Sequence, residues 1–233
     1  MEAIILAGGR GTRLQAALPD LPKPLAPIGG RPFLTLLLDY LDQQGFRRIH
    51  LSIGYRGQAI MDAIGHAHGN MELHYVREDR PLGTGGALRK ALMETRDSPV
   101  FALNGDTFFA LDYRAMWTQH GESGAGLTVA LRHAPDTTRY GRVETQGSRI
   151  VSFREKGEAG EGWINGGIYL LNRELFDGHA LPETFSFEQD FLQRYRERLA
   201  PRAFLSDAYF IDIGIPEDYR RAQKEIPRLL QGN

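Results

Sequence analysis

At 233 residues, 42% of them apolar and 24% charged, the chain has the composition of an ordinary globular protein with enough length to bury a sizeable core, which excludes a disordered or fibrous class. A net charge of -1 excludes the broad basic face that nonspecific nucleic-acid binding needs, though it leaves room for a local cationic pocket. The absence of cysteine excludes disulfides, thiolate nucleophiles and Cys-ligated zinc. Met1-Glu2 and the five apolar residues after them lack the basic start and the length of a secretory signal. No stretch reaches a membrane span, since even the run at 33–41 is broken by Thr35, Asp39 and Tyr40. The expectation is a cytoplasmic enzyme with no membrane and no nucleic-acid partner.

In chain order, residues 3–7 form a short apolar run closed by Gly8-Gly9, the pattern of a buried strand entering a loop. After Pro32, the residues Phe33, Leu36, Leu37, Tyr40 and Leu41 recur at helical spacing and stop at Gly45, predicting an amphipathic helix with a glycine beyond its end. A strand at 49–53, a helix at 58–64, a strand at 72–76, a helix at 86–95 and a strand at 100–103 follow. Such alternation predicts an α/β fold with right-handed crossovers and a mainly parallel sheet covered by helices on both faces. Ligands of such sheets sit beyond the carboxyl ends of the strands.

After a helix at 112–120 the pattern changes to close-spaced strands at 127–131, 142–145 and 150–153, with a hairpin turn at Gln146-Gly147. A strand at 167–171, a helix near 187–198, a strand at 209–213 and a last helix from Pro216 complete the chain. The basic stretch at 194–202, interleaved with Glu197, reads as a solvated helix face. No repeat or low-complexity linker divides the sequence, which reads as one domain over 1–233 whose second half adds substrate-facing pieces.

The stretch AIILAGGRGTRL at 3–14 carries the chemistry. A dinucleotide fingerprint laid on Gly9 and Gly11 meets Leu14 where its third glycine belongs, and no Gly-Lys-Ser/Thr follows for a Walker loop. What remains is a flexible loop whose backbone N–H groups can wrap a polyphosphate, with Arg13 as a cationic fork. Lys23-Pro24 adds a second cation on a segment stiffened by Pro19, Pro22, Pro24 and Pro27. Taken alone, the loop fits a glycine turn with solvated arginines equally well. His66 and His68 have a metal-like spacing without a third ligand nearby and read as a surface loop. Trp163, ahead of a strand, reads as core.

LAGGRGTRL followed by LPKPLAPIGGRPFL closely resembles the opening of the sugar-1-phosphate nucleotidylyltransferases, and LGTGGAL at 82–88, NGD at 104–106, EK at 155–156, INGG at 164–167 and DIGIPEDY at 212–219 continue the resemblance over almost the whole chain. The resemblance implies a Rossmann-like three-layer sandwich of the nucleotide-diphospho-sugar transferase type, its central sheet mainly parallel but mixed, with a nucleotide-binding half at 1–111 and a sugar-binding half at 112–233. It also implies a reaction in which a sugar 1-phosphate joins the α-phosphate of a nucleoside triphosphate and pyrophosphate leaves. The nucleophile is already an anion, so the chemical demand is for cations, metal and positioning rather than an activated side chain.

On that pattern Leu6, Ala7, Gly8, Gly9, Gly11, Thr12, Arg13, Lys23, Asn104 and Asp106 hold the nucleotide, and Arg13, Lys23, Asp106 and Lys156 are the catalytic set. Asp106 and Asp212 are the implied Mg2+ ligands, since magnesium takes one or two carboxylates plus phosphate oxygens and water. The base is expected against Leu82, Gly83 and Thr84, where glycines let the backbone come close, with Glu78 or Asp79 accepting protons from it. An acceptor carboxylate suits the N–H donors on the pairing edge of guanine, so GTP is the expected triphosphate. The sugar 1-phosphate is expected to meet Gly141, Glu155, Lys156, Asn165 and Gly166. The segment LPDLPKPLAPIGGRPFL, the GTGGAL loop and the short length narrow the resemblance to members that act on a heptose 1-phosphate for bacterial surface polysaccharide. Leu14-Gln15-Ala16-Ala17 departs from the Arg-Pro-Leu-Thr common in the family. A mannose 1-phosphate guanylyltransferase, and in another class a noncatalytic nucleotide-sugar sensor, are the competing readings, while a dehydrogenase fails on Leu14. Assembly into a homo-oligomer is left open by sequence.

Overall fold

The computed structural model describes residues 1–9, 21–154, 157 and 159–231. Its strands are β1 (Glu2–Leu6), β2 (Pro27–Ile28), β3 (Arg31–Pro32), β4 (Arg48–Ile53), β5 (Ala67–His68), β6 (Met71–Arg77), β7 (Val100–Asn104), β8 (Thr107–Phe109), β9 (Leu127–Ala134), β10 (Val143–Gln146), β11 (Arg149–Phe153), β12 (Gly162–Leu171), β13 (Arg202–Ser206) and β14 (Phe210–Asp212). Ten of them form one sheet in the order β10-β11-β13-β9-β12-β7-β1-β4-β6-β5. The run β7-β1-β4-β6 is parallel, as the alternation of the first half requires. Strand β12 enters antiparallel between β7 and β9, which makes the sheet mixed.

Side chains alternate along the central strands, so each strand feeds two cores. Ala3 and Ile5 of β1, with Phe101 and Leu103 of β7, pack under the helices Phe33–Gln43, Tyr113–Ser123 and Pro216–Gln231. Ile4, Val100 and Ala102 face the other way onto Leu88 and Ala91 of the helix Gly83–Leu92 and onto Phe187 and Phe191. The result is the three-layer α/β sandwich expected. Asp112 caps its helix by accepting the N–H of Ala115 at 2.9 Å, and Gly147, at φ +58, turns β10 back into β11.

Two segments differ from expectation. The stretch read as a solvated helix face holds only the short helix Arg196–Leu199, and β13 begins at Arg202, between β9 and β11. Its pattern gives little strand signal, because Ala203 is buried while Leu205 stays 43% exposed. Residues 187–193 form a π-helical turn that keeps Phe187, Phe191 and Leu192 in the core.

The helix expected at 86–95 starts at Gly83 because its glycines pack on a distant segment. Gly85 donates its N–H to the carbonyl of Phe185 (2.9 Å), and Phe185 donates to that of Leu82 (3.1 Å). A Cβ on Gly86 would lie 2.4 Å from the Glu183 carbonyl oxygen. Alanine gains about 1 kcal/mol over glycine in a helix, but forcing backbone apart costs about 1–3 kcal/mol. Gly86→Ala is therefore expected to lower the free energy of unfolding in urea; a stabilised variant contradicts this packing.

Buried titratable groups give the fold a pH dependence. Burial pushes both His50 and His120 below the ordinary histidine value, although hydrogen bonds to Glu2 and Asn172 oppose it. The folded state therefore binds fewer protons than the unfolded chain once pH falls below the ordinary value. Their contribution is full above that value and is lost as pH falls through it toward the depressed folded values. Burial raises the proton affinity of Glu2, but the Asp97 and Arg96 N–H groups and His50 outweigh it and hold the carboxyl low, which adds acid sensitivity of the same sign. Thermal midpoints should fall between about pH 7.5 and 5.5, and His120→Gln should flatten that slope; a midpoint that rises on acidification contradicts the assignment.

Candidate active site

Strands β1 and β7 lie side by side, and their carboxyl ends deliver Gly8-Gly9 and Asn104-Gly105-Asp106 to the same edge of the sheet. The glycine between Asn104 and Asp106 is required there, since it donates its N–H to the Leu6 carbonyl at 3.0 Å and a Cβ would sit 2.7 Å from that oxygen. Strand β8 continues from Asp106 and pairs with β14, setting Asp212 opposite Thr107, and Ile213 donates its N–H to the Asp106 carbonyl. Sequence positions more than a hundred residues apart thus meet.

Lys23 closes the group. It opens a short 3-10 turn, Lys23–Leu25, anchored by buried Pro24 and Leu25. Its Nζ lies 2.5 Å from Asp106 Oδ2 and 3.5 Å from Asp212 Oδ1. Asp212 Oδ1 also accepts the Gly214 N–H at 2.7 Å. Burial, and then the neighbouring Asp106 charge, raise the proton affinity of Asp212, while Lys23 and the Gly214 N–H oppose the rise. Two carboxylates sharing one ammonium form a site that favours further positive charge. Their hard oxygens fit the donor set magnesium prefers. Among the described residues no cluster of three or more His, Asp and Glu ligands exists, so a divalent ion here would need phosphate oxygens and water to complete its shell.

Next to Asp106 opens a cavity of about 590 Å³ whose wall includes Leu6, Gly8, Gly9, Gly83, Thr84 and Asn104. Glu78 and Asp79 line it as well. A Cβ on Gly8 would meet Glu78 Oε1 at 2.4 Å and the Gly54 nitrogen at 3.1 Å, so a larger residue there would displace the Glu78 carboxylate. The Glu78 carboxylate accepts the Ser52 hydroxyl at 3.3 Å and the Leu82 N–H at 3.2 Å. Ala7 and Leu82 are buried, at 2% and 7% exposure.

A smaller cavity of about 400 Å³ borders the first, its wall formed in part by Gly141, Asn165, Gly167 and Tyr169. Asn104 and Glu188 line both cavities. Glu188 accepts the Thr84 hydroxyl at 2.9 Å on one oxygen and the Tyr169 hydroxyl at 3.1 Å on the other, and Asn165 donates its amide to Tyr169 Oη at 2.8 Å. Burial and the Glu188 charge push the Tyr169 phenol well above its ordinary value, which keeps it protonated as a donor. Of the INGG glycines it is Gly167, at φ +68 and against the Asn104 amide, that faces the cavity. Gly166 packs under the Phe109 ring, where a Cβ would be 2.6 Å from it.

Lys23, Asp106 and Asp212 therefore converge, and Gly8, Gly9, Glu78, Gly83, Thr84, Asn104, Gly141 and Asn165 border the adjoining cavities. Gly11, Thr12, Arg13, Glu155 and Lys156 lie outside the described residues. Glu188 gave no sequence signal, being one of three acids, with Asp190 and Glu197, in a segment read as an ordinary helix. His68 pairs with Asp39 at 2.7 Å and the His66 ring meets Tyr75 edge-on, and among the described residues neither belongs to a group of three or more metal-capable side chains. Trp163 packs against the second core and edge-on to His133.

The nucleotidyl transferase family model matches residues 2–228, and the chain belongs to that family. It is 47% identical to D-glycero-alpha-D-manno-heptose 1-phosphate guanylyltransferase of Aneurinibacillus thermoaerophilus, over 97% of this chain and 98% of that protein. The crystal structure of HddC from Yersinia pseudotuberculosis complexed with GMP-PN superposes with a TM-score of 0.85 at 38% identity, over 96% of this chain and 98% of that one. A mannose-1-phosphate guanylyltransferase of Mycobacterium tuberculosis is more distant, 29% identical over 98% of this chain but only 65% of its own length.

Proposed function

We propose that the chain is a guanylyltransferase that joins D-glycero-alpha-D-manno-heptose 1-phosphate to GTP, yielding GDP-heptose, for bacterial surface polysaccharide, and pyrophosphate. The observation that carries this is the contact of two cavities at Asn104 and Glu188, with the Lys23–Asp106–Asp212 cluster beside them. The larger cavity takes the nucleotide, contributed mainly by residues 1–111, and the smaller takes the sugar, contributed mainly by residues 112–233. A phosphate oxygen of the sugar 1-phosphate attacks the α-phosphorus of GTP; the new P–O bond forms, the bond to the β-phosphate bridging oxygen breaks, and its electron pair leaves with pyrophosphate. Both reactants are anions, so the barrier yields to positioning and charge cancellation rather than to proton transfer.

Lys23 supplies one fixed positive charge beside Asp106, and Arg13 and Lys156 are the further cations the sequence offers for the phosphates. Asp106 and Asp212 would hold Mg2+, which supplies charge neutralisation and Lewis acidity at the phosphates when bound. The cationic and acidic cluster disfavours a sensor, which needs binding alone. A GTP substrate fits a cytoplasmic enzyme, and among the described residues no helix is long and apolar enough to cross a membrane.

Glu78 is the base-reading candidate, because its carboxylate lines the larger cavity and has acceptor capacity beyond Ser52 and Leu82. Glu78→Gln should reduce the ratio of kcat/KM for GTP over ATP by about tenfold or more, the scale of one hydrogen bond to a charged acceptor. An unchanged ratio removes Glu78 from base selection. The reaction itself is tested by a matrix of GTP, ATP, CTP and UTP against the heptose and mannose 1-phosphates with magnesium, following pyrophosphate. Release is expected to be fastest for GTP with the heptose 1-phosphate. Release fastest with mannose 1-phosphate changes the substrate, and no release in any pair overturns the enzyme.

A further inference from the structure

A third cavity, of about 420 Å³, lies between strands β4 and β6 and the carboxyl end of the helix Gly83–Leu92. Arg48, Arg77, Lys90 and Arg96 line it against one lining carboxylate, Glu94. Among the described residues two of the four cations are ion-paired and two are not. Arg48 stands 3.6 Å from Glu2 and 3.7 Å from Glu72, and Lys90 is 4.0 Å from Asp79. The Arg77 guanidinium donates to the neutral Gln58 amide at 2.7 Å. Among the described residues neither Arg77 nor Arg96 has a carboxylate at ion-pair distance.

His50 lines the same cavity and is 2% exposed. Its Nε2 is 2.7 Å from Glu2 Oε1, and its ring stacks on His74 at 5.3 Å. Its buried Nδ1 has no hydrogen-bond partner among the described residues. A buried polar atom left unmet is costly, so a ligand in this cavity that reached Nδ1 through a small shift of the ring would relieve that cost. With Nε2–H directed at Glu2, Nδ1 offers a lone pair to a hydroxyl, while guanidinium and ammonium groups around it take anionic oxygens.

We propose that this cleft is a second anion site that binds the phosphate group of a small metabolite, and that its occupancy is felt in the nucleotide cavity. A phosphate monoester of a polyol meets both demands, with anionic phosphate oxygens for the cations and a hydroxyl of its alcohol part for Nδ1, and the volume leaves space for that part. Coupling has a physical route in two shared elements. Arg77 of this cleft is followed directly by Glu78 of the nucleotide cavity, and the helix that gives Lys90 to one gives Thr84 and Ala87 to the other. Binding stands on the cleft alone, whereas the coupling rests on the guanylyltransferase reading.

The test uses the full chain, isotope-labelled, with its nucleotide cavity saturated by a nonhydrolysable GTP analogue and magnesium. Inorganic phosphate and, separately, glucose 6-phosphate are titrated while amide resonances are followed. Saturable shifts at Arg77, Lys90 and Arg96 are expected, with glucose 6-phosphate the tighter probe, and Arg96→Glu should weaken both by about tenfold or more. Tighter inorganic phosphate overturns the monoester assignment. The absence of saturable shifts at these amides, or shifts indifferent to Arg96→Glu, overturns the site, and neither outcome depends on turnover. In steady-state assays glucose 6-phosphate should change the KM for GTP in the wild type and leave that of Arg96→Glu unmoved. Binding without such a change overturns the coupling.

Discussion

Asp106→Ala is expected to lower kcat/KM for pyrophosphate release by about a thousandfold or more while leaving the urea unfolding transition near its wild-type midpoint. The carboxylate is 36% exposed, on a residue held by backbone bonds that its side chain does not make, the Ile213 N–H on its carbonyl and the preceding Gly105 N–H on Leu6. Removing the side chain therefore leaves strands β7, β8 and β14 paired. What disappears is one of the two carboxylates available to a magnesium ion and the anchor of Lys23 at the mouth of the larger cavity. A fully active Asp106→Ala variant would falsify the metal assignment.

Lys23→Met tests the other charge, and a fall of about a hundredfold in kcat/KM is expected, the scale for removing one preorganised donor from a site that handles developing negative charge. Lys23 is the ion-pair partner of both Asp106 and Asp212 among the described residues. Without it the proton affinity of Asp212, already raised by burial and by Asp106, rises further. The acid limb of the pH–rate profile should accordingly move to higher pH, a signature that mere loosening of the turn does not produce. Lys23→Arg should not restore activity, because a planar guanidinium does not reproduce a single ammonium placed 2.5 Å from Asp106 and 3.5 Å from Asp212. An unmoved acid limb in Lys23→Met removes the electrostatic role.

Most of the first half was legible because its information is local. Apolar runs at β1, β4 and β7 separated by helical periodicity dictate parallel strands, and Gly8-Gly9, the Asn-Gly-Asp and the Asp-Ile-Gly fall naturally at the carboxyl ends of strands. The less legible features depend on partners distant in sequence. The glycines of LGTGGAL look like room for a ligand, yet Gly85 and Gly86 are small because the 183–185 segment packs on them. Between Asn165 and Tyr169 the register of β12 slips, so the period of two that would assign Gly166 and Gly167 to faces fails there. Strand β13 carries a single buried alanine and an exposed leucine, too weak a pattern to separate from a charged helix. Glu188 owes its place to a π-helical turn, a geometry with no sequence period of its own.

A crystal structure of the chain with a nonhydrolysable GTP analogue, the heptose 1-phosphate and magnesium tests the central claim most directly. The account predicts guanine beside Glu78, the sugar against Asn165 and Glu188, and the metal held by Asp106 and Asp212 with the reacting phosphates between the two cavities. A triphosphate bound away from Asp106, or a metal held without either carboxylate, contradicts it.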